Sequence, residues 1–380
     1  MTETLTREEA LRRLLVGGAA LTIPGLAPAL AKAMAEADPN LGKTLTISNW
    51  PLYIDVNEKT GKRPTIELFQ KRYGVKVKYL EDINDNATFF GKIQAQLRRG
   101  QSIGRDIIVM TDNSPYPALI IANRWCEKLV KSKIPNVKNL QPALRSPGWD
   151  PKLEYHLPWQ SGMTGIAYNA QKTKPITSID QLLGDTKLRG KVTMLTEMAD
   201  SIGSVMLANG DNPAKVTDAT FNAALKRIEK AFKGGQIRKF TGNDYAQPLS
   251  KGTYWASLSW SGDIVQLQSS NPHLRWGIPK QGGMIWTDQM LIPAKGDAYT
   301  ASVFMNYVYD PAIQAKIEAY VNYVCPVLGT KQALAKFDPA AAKNPLIFPT
   351  AATLKQVNLF DSKALFNADY KEKWQRLLGA

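Results

Sequence analysis

Lys43-Thr44-Leu45-Thr46-Ile47-Ser48-Asn49-Trp50 opens the stretch that decides the fold. Its Thr44-Leu45-Thr46-Ile47 core alternates with period two, as a strand does. Residues 63–73 then carry Ile66, Leu68, Phe69 and Tyr73 at helical spacing, and Gly74 stops the run. Gly74-Val75-Lys76-Val77-Lys78-Tyr79-Leu80 reads as a second strand. Residues 87–97 read as a helix through Phe89, Phe90, Ile93 and Leu97. Asp106-Ile107-Ile108-Val109-Met110 is a short apolar run of the kind that forms a buried parallel strand.

The same alternation continues down the chain. Helices are expected over 116–123, over 179–183 with Ser178 as N-cap, and over 220–232 through Phe221, Leu225, Ile228 and Phe232. Strands are expected over 190–195 and 253–260, with a helix starting at Ile264 and running to Ser269. Strands alternating with helices predict an α/β fold with mostly parallel sheets. The strand ends carry polar groups: Asn49-Trp50, Thr111-Asp112-Asn113, Thr196-Glu197 and Ser261-Gly262-Asp263. Ligands of open α/β sheets bind beyond the carboxyl ends of strands.

Length and composition set the frame. At about 150 residues per domain, 380 residues suggest two to three domains. Hydrophobic residues make up 44% and charged residues 21%, which excludes a disordered chain, a collagen and a polytopic membrane protein. The formal net charge is +15. Lys and Arg are scattered, in no run longer than a dipeptide, so the charge describes a soluble basic protein rather than a nucleic-acid binder. With two His and two Cys, a zinc cluster of His and Cys is almost excluded. His156 and His273 stand alone and read as surface or structural residues.

The N-terminus reads as a targeting segment. Arg7, Arg12 and Arg13 precede an apolar run from Leu14 that ends in Ala29-Leu30-Ala31. A charged start, an apolar middle and a small-x-small end make a secretory signal. Pro24 and Pro28 argue against a membrane-spanning helix. Arg12-Arg13 hints at a twin-arginine route, and no Cys near the end of the run offers a lipid anchor. Residues 1–31 are therefore assigned to the signal, the mature chain to a start near Lys32, and the protein to the extracytoplasmic or periplasmic space. No other stretch reaches 18 uninterrupted apolar residues, so the mature protein should be soluble. Export permits a disulfide; whether Cys126 and Cys325 meet is left open.

Taken together, the segments resemble the extracytoplasmic polyamine-binding proteins (spermidine/putrescine-binding proteins) of ABC importers. The landmarks occur in family order: Ile47-Ser48-Asn49-Trp50-Pro51-Leu52-Tyr53-Ile54, Asp106-Ile107-Ile108-Val109-Met110-Thr111, Leu157-Pro158-Trp159 with Gly165-Ile166-Ala167-Tyr168-Asn169, Trp260-Ser261-Gly262-Asp263, and Pro279-Lys280-Gln281-Gly282-Gly283-Met284-Ile285-Trp286-Thr287-Asp288 followed by Ile292-Pro293. The resemblance spans Leu45 to about Leu378. It implies a two-lobe periplasmic-binding-protein-like fold of type II, with sheets flanked by helices and a ligand cleft between lobes. The implied lobes are 44–157 plus 290–328, and 158–289 plus 329–380. The implied partners are a polyamine-like cation and the membrane subunits of an ABC permease. A monomer with no cofactor, no metal, no nucleic acid and no enzymatic reaction completes the expectation.

The chemistry of such a ligand tells what its site needs. An ammonium leaves water at a cost of several kcal/mol unless a carboxylate receives it. Methylene stems and cations both favour the faces of aromatic rings. The resemblance places Asp263 and Asp288 as ammonium-binding acids, Trp50, Tyr53, Trp260, Trp286 and Tyr323 as ring walls, and Thr111 as a hydroxyl. Two further acids are frequent in the family where this chain has Met198 and Ser201; Asp200 or Glu197 would compensate by a one-residue shift. Pro51 and Asn113 also replace residues that are commonly hydroxyl or aromatic. Asp112, Asp200 and Asp263 could alternatively be helix caps, and Glu197 and Asp200 could form a solvated helix face. Without those acids the cleft would suit another amine-bearing, zwitterionic or anionic solute. An exported hydrolase is the remaining alternative, and the chain shows no G-x-S-x-G, H-E-x-x-H, Walker or dinucleotide motif.

Overall fold

A computed structural model describes residues 38–379; the expected signal segment, residues 1–31, lies outside the described residues. β1 (Thr44–Asn49), α1 (Pro64–Tyr73), β2 (Lys76–Glu81), α2 (Asn86–Arg98) and β3 (Ile107–Thr111) follow the expected alternation, and β1 pairs in parallel with both β2 and β3. Local chemistry sets the helix ends. Pro64 stands where its missing N–H costs nothing, and Gly74 closes α1 at φ 71°. The Asp85 carboxylate caps α2 by accepting from the Thr88 N–H at 2.8 Å. The apolar face of α1 buries Ile66 and Phe69, whose ring meets Phe304 at 5.1 Å.

After α3 (Tyr116–Ala122) the chain forms the long β4 (His156–Asn169). The second half adds α4 (Ile179–Gly184), β5 (Val192–Leu195), α5 (Met198–Asn209), α6 (Asp218–Lys233), β6 (Ile237–Thr241), α7 (Ala246–Ser250), β7 (Ala256–Trp260) and α8 (Ser261–Leu267). β8 (Leu274–Gly277) pairs with the C-terminal end of β4, and β9 (Gly283–Leu291) returns to pair with β3. The chain then runs through α9 (Ala298–Val308), α10 (Pro311–Val321), α11 (Thr330–Leu334), α12 (Ala351–Leu354), β10 (Val357–Asn358), α13 (Ser362–Phe366) and α14 (Ala368–Leu378).

The strand order is β2-β1-β3-β9-β4-β7-β5-β6, with β10 beside β9 and β8 beside β4. Two parallel groups therefore flank a central antiparallel pair. β4 and β9 pair from His156 to Thr164 against Leu291 to Met284, with an irregularity between Pro158 and Gln160. These two strands carry the chain between the halves. At the 328/329 position α11 packs on α10, and Ala315, Leu334 and Ala342 share a small apolar cluster. β10 pairs in parallel with β9 at Gly283 and Met284.

Some local expectations shift. Strand β7 begins at Ala256 rather than Thr253, because the N–H groups of Thr253 and Tyr254 turn back to the Pro248 carbonyl. Helix α8 begins at Ser261, three residues before Ile264; the polar Ser261-Gly262-Asp263 is its first turn, not a loop. His156 is buried, its Nδ1 2.8 Å from the Asp150 carboxylate, whereas His273 is exposed. Asp112 is no cap: it accepts from the Thr287 N–H at 2.9 Å and the Gln289 amide at 3.2 Å.

Cys126 and Cys325 are buried and unpaired. Burial pushes both thiols above their ordinary range, which keeps them unreactive. Denatured protein should therefore titrate two thiols per chain with Ellman's reagent, with or without prior reduction. A titration of none before reduction would show a bridge.

Candidate functional site

The carboxyl ends of β1, β3, β5, β6 and β7 converge on one cleft. Beyond β1 the chain turns at Leu52, which adopts φ 60°. This turn aims both Trp50 and Tyr53 inward; the Trp50 indole N–H anchors on the Val109 carbonyl at 3.1 Å. Thr111, the last residue of β3, stands opposite Asp288 of β9 in register. The Asp288 carboxylate accepts from the Tyr53 hydroxyl at 2.5 Å and the Thr111 hydroxyl at 2.6 Å.

Helices α5 and α8 each place an acid in their first turn. Asp200 accepts from the Trp260 indole at 3.1 Å, the Thr164 hydroxyl at 2.8 Å and the Asn113 amide at 3.2 Å. Asp263 accepts from Tyr323 at 2.6 Å, Tyr245 at 2.7 Å and the Asn243 amide at 2.8 Å. The helix N-terminal location favours their charged forms, but neither side chain caps its helix. Glu197, just before α5, accepts from the backbone and side-chain N–H groups of Asn86 at 2.8 and 2.9 Å. Ser201 turns away and donates to the Leu195 carbonyl at 2.6 Å. Glu197 and Asp200 both line the cleft.

Rings fill the walls. Trp260 meets Trp50 edge-on at 5.6 Å and Trp286 at 6.0 Å; Tyr323 lies 4.8 Å from Tyr53 and 5.9 Å from Trp286. Two glycines make this packing possible. A Cβ on Gly262 would stand 2.1 Å from the Tyr323 ring, and one on Gly162 would stand 2.4 Å from the Trp286 ring. With the rings packed in this way the free space between them is about 20 Å³, little more than one water molecule needs.

All nine residues singled out in the sequence line this cleft: Trp50, Tyr53, Thr111, Asp200, Trp260, Asp263, Trp286, Asp288 and Tyr323. Asn86, Thr164 and Tyr245, which hold the acids, were not foreseen. Nor was Asn243, which also lines the cleft. Asn243 and Tyr245 follow β6, whose Arg238-Lys239 hides the strand pattern.

The electrostatics are lopsided. Burial drives the carboxyl of Glu197 up to about 8, that of Asp288 up to about 7, and those of Asp200 and Asp263 up to about 6, against their hydrogen-bond donors. No described ion pair involves any of the four. The buried amide oxygens of Asn113 and Asn243 accept nothing from the protein. Such a site is short of positive charge, and its two open amide oxygens lack donors. Among the described residues no cluster is arranged to hold a metal ion, and no helix is long and apolar enough to cross a membrane.

The chain is similar to several known proteins. Residues 65–349 match the profile of the bacterial extracellular solute-binding proteins. The spermidine/putrescine-binding periplasmic protein of Escherichia coli K12 is 25% identical over 357 residues, covering 92% of this chain and 96% of that protein. The putrescine-binding periplasmic protein PotF of the same organism is 28% identical, covering 81% and 84%. Among solved structures, the spermidine/putrescine transporter binding protein PotD of Streptococcus pneumoniae superposes with TM-score 0.69 at 19% identity, over 88% of this chain and 97% of that one. The binding protein AgtB of A. tumefaciens R10, solved with agropinic acid, gives TM-score 0.71 at 19% identity, over 90% and 100%. These two likenesses establish the two-lobe fold and leave the ligand to the residues of the cleft.

Proposed function

We propose, from the premise that the chain belongs to the bacterial extracellular solute-binding proteins, that its cleft captures a polyamine-like organic cation in the periplasm and delivers it to an ABC permease. The carrying observation is the set of four buried carboxylates with no protein cation among them, walled by Trp and Tyr rings. Ammonium groups supply the missing charge, and their N–H bonds reach the open oxygens of Asn113 and Asn243. Methylene stems lie against the rings. Relatives named for spermidine and putrescine support this ligand class. An anionic solute meets the opposite field and is disfavoured by the same four acids.

Closure follows from the topology. We place the hinge in β4 and β9, with residues 329–349 carried beside α10 on the β1–β3 side. Hinge motion in two-lobe receptors is confined to a few such segments. Small-angle scattering should show contraction when a bound amine saturates the protein; an unchanged radius would count against a hinged cleft. Trp286→Ala should weaken binding about 2- to 30-fold, the equivalent of about 0.5–2 kcal/mol for a ring facing a cation. Competition titrations against the wild type measure it. A thermal-shift screen of the mature protein against amines, amino acids, sugars and metals tests the ligand class. Stabilisation by diamines and polyamines is the expected result. Stabilisation by sugars or acids alone would refute it.

A further inference from the structure

Two loops meet at the rim of the cleft from opposite ends of the sheet. One follows β2 and contains Asn84; the other follows β6 and contains Gly242, Asn243 and Asp244. β2 and β6 are the outermost strands of the ordered path, so this contact exists only because the two halves are folded toward each other. The hinge strands β4 and β9 lie in the middle of that path, which puts the rim contact opposite the hinge.

Asn84 carries the contact. Its carbonyl accepts from the Asn243 N–H at 3.2 Å. Its side-chain oxygen accepts from the Asp244 N–H at 3.1 Å, and its amide donates to the Asp244 carboxylate at 3.4 Å. The same carboxylate oxygen accepts from the Gly242 N–H at 2.9 Å, which ties the loop into one turn. Gly242 sits directly beneath Asn84. A Cβ there would stand 1.9 Å from the Asn84 carbonyl oxygen. Gly242 has φ −86°, so left-handed backbone is not what calls for glycine here; space is.

The buried neighbours of these loops hold the acids of the cleft. Asn86 donates twice to Glu197, and Asn243 donates to Asp263 while its own amide oxygen stays open. We infer that Asn84 and Gly242 form a clasp that closes the rim opposite the hinge and sets Asn86 and Asn243 against the ligand acids. The inference rests on the reading of the cleft as a cation site, and it makes Asn84 and Gly242 positioning residues that touch no ligand. A Cβ at residue 242 holds the loops apart, so the closed form becomes a smaller fraction of the molecules and apparent affinity falls by that fraction.

The test uses the mature full-length protein. In a variant carrying Asn84→Cys and Asp244→Cys, mild oxidation should join the two residues, read by peptide mass spectrometry; the buried Cys126 and Cys325 remain as internal controls. Putrescine or spermidine, whichever calorimetry shows to bind, should speed the cross-link about tenfold or more. Gly242→Ala should weaken that amine by about ten- to a hundredfold, as overpacking of a close contact does, and should slow the cross-link when combined with the Cys pair. It should leave the melting temperature of the amine-free protein within a few degrees of wild type. A cross-link that forms in neither the amine-free nor the amine-bound protein overturns the clasp. So does a Gly242→Ala protein that binds and contracts like wild type. If no amine binds the wild type, the cation reading fails, and the clasp is still judged by whether the amine-free cross-link forms and whether Gly242→Ala slows it.

Discussion

Asp288→Asn lowers the affinity for the bound amine by about 30-fold to several thousand-fold. Losing one partner of a desolvated, hydrogen-bonded charge pair costs about 2–5 kcal/mol, and each 1.4 kcal/mol is about tenfold. Asp288 is the acid best placed for that loss. It is buried where β9 crosses between the halves, and its donors come from the β1 turn and the end of β3. Asn keeps the shape and accepts from Tyr53 or Thr111, so the change removes charge and little else. Glu372→Gln is the matching control. Glu372 is exposed on α14, in a surface pair with Arg376, and such pairs contribute little. Calorimetry on the two variants decides it: equal affinities would remove Asp288 from the site.

Binding should also tighten steeply as the solution becomes more alkaline. In the unliganded cleft burial holds Asp200 and Asp263 protonated up to about 6, Asp288 up to about 7 and Glu197 up to about 8. An ammonium requires the ionised carboxylate, so binding expels those protons and grows weaker as pH falls through these values. Each carboxyl that must ionise contributes up to about tenfold per pH unit. From about pH 8 to about pH 5.5 Asp288 alone gives roughly 30-fold. The stability of the amine-free protein runs the other way. A carboxyl whose folded pKa is raised holds a proton that the unfolded chain releases, so its contribution is present below the ordinary carboxylate range and is lost as pH rises through the folded value. Asp55, Asp112 and Glu318, buried elsewhere, are raised as well and add to that trend. The diagnostic quantity is therefore the amine-induced shift in melting temperature. It should grow between about pH 5.5 and about pH 8; a flat or shrinking shift would contradict the cation site.

Much of this was legible in the sequence, for physical reasons that differ between parts. The parallel strands showed because burial on both faces demands apolar runs such as Ile107-Ile108-Val109-Met110. The resemblance marks Trp50, Thr111, Trp260 and Asp263, and they meet because a parallel sheet brings its strand ends to one edge. Strand β6 was hidden by Arg238 and Lys239, both exposed, and Asn243 and Tyr245 were hidden with it. Glu197 and Asp200 could not be told apart in one dimension. What orients them is tertiary: Asn86 holds one, and Trp260, Thr164 and Asn113 hold the other. The role of Gly262 was equally invisible, because the ring that needs its space comes from Tyr323, far along the chain. Cysteine spacing said nothing about pairing, which depends on geometry alone.

The central claim is that four buried acids and their ring walls receive an organic cation. Titrating the purified mature protein with putrescine and with spermidine in a calorimeter at about pH 8 tests it most directly. One amine bound per chain, with affinity that falls on acidification and collapses in Asp288→Asn, is the predicted result. No heat with any diamine or polyamine, from protein that is folded and free of co-purified solute, would contradict it.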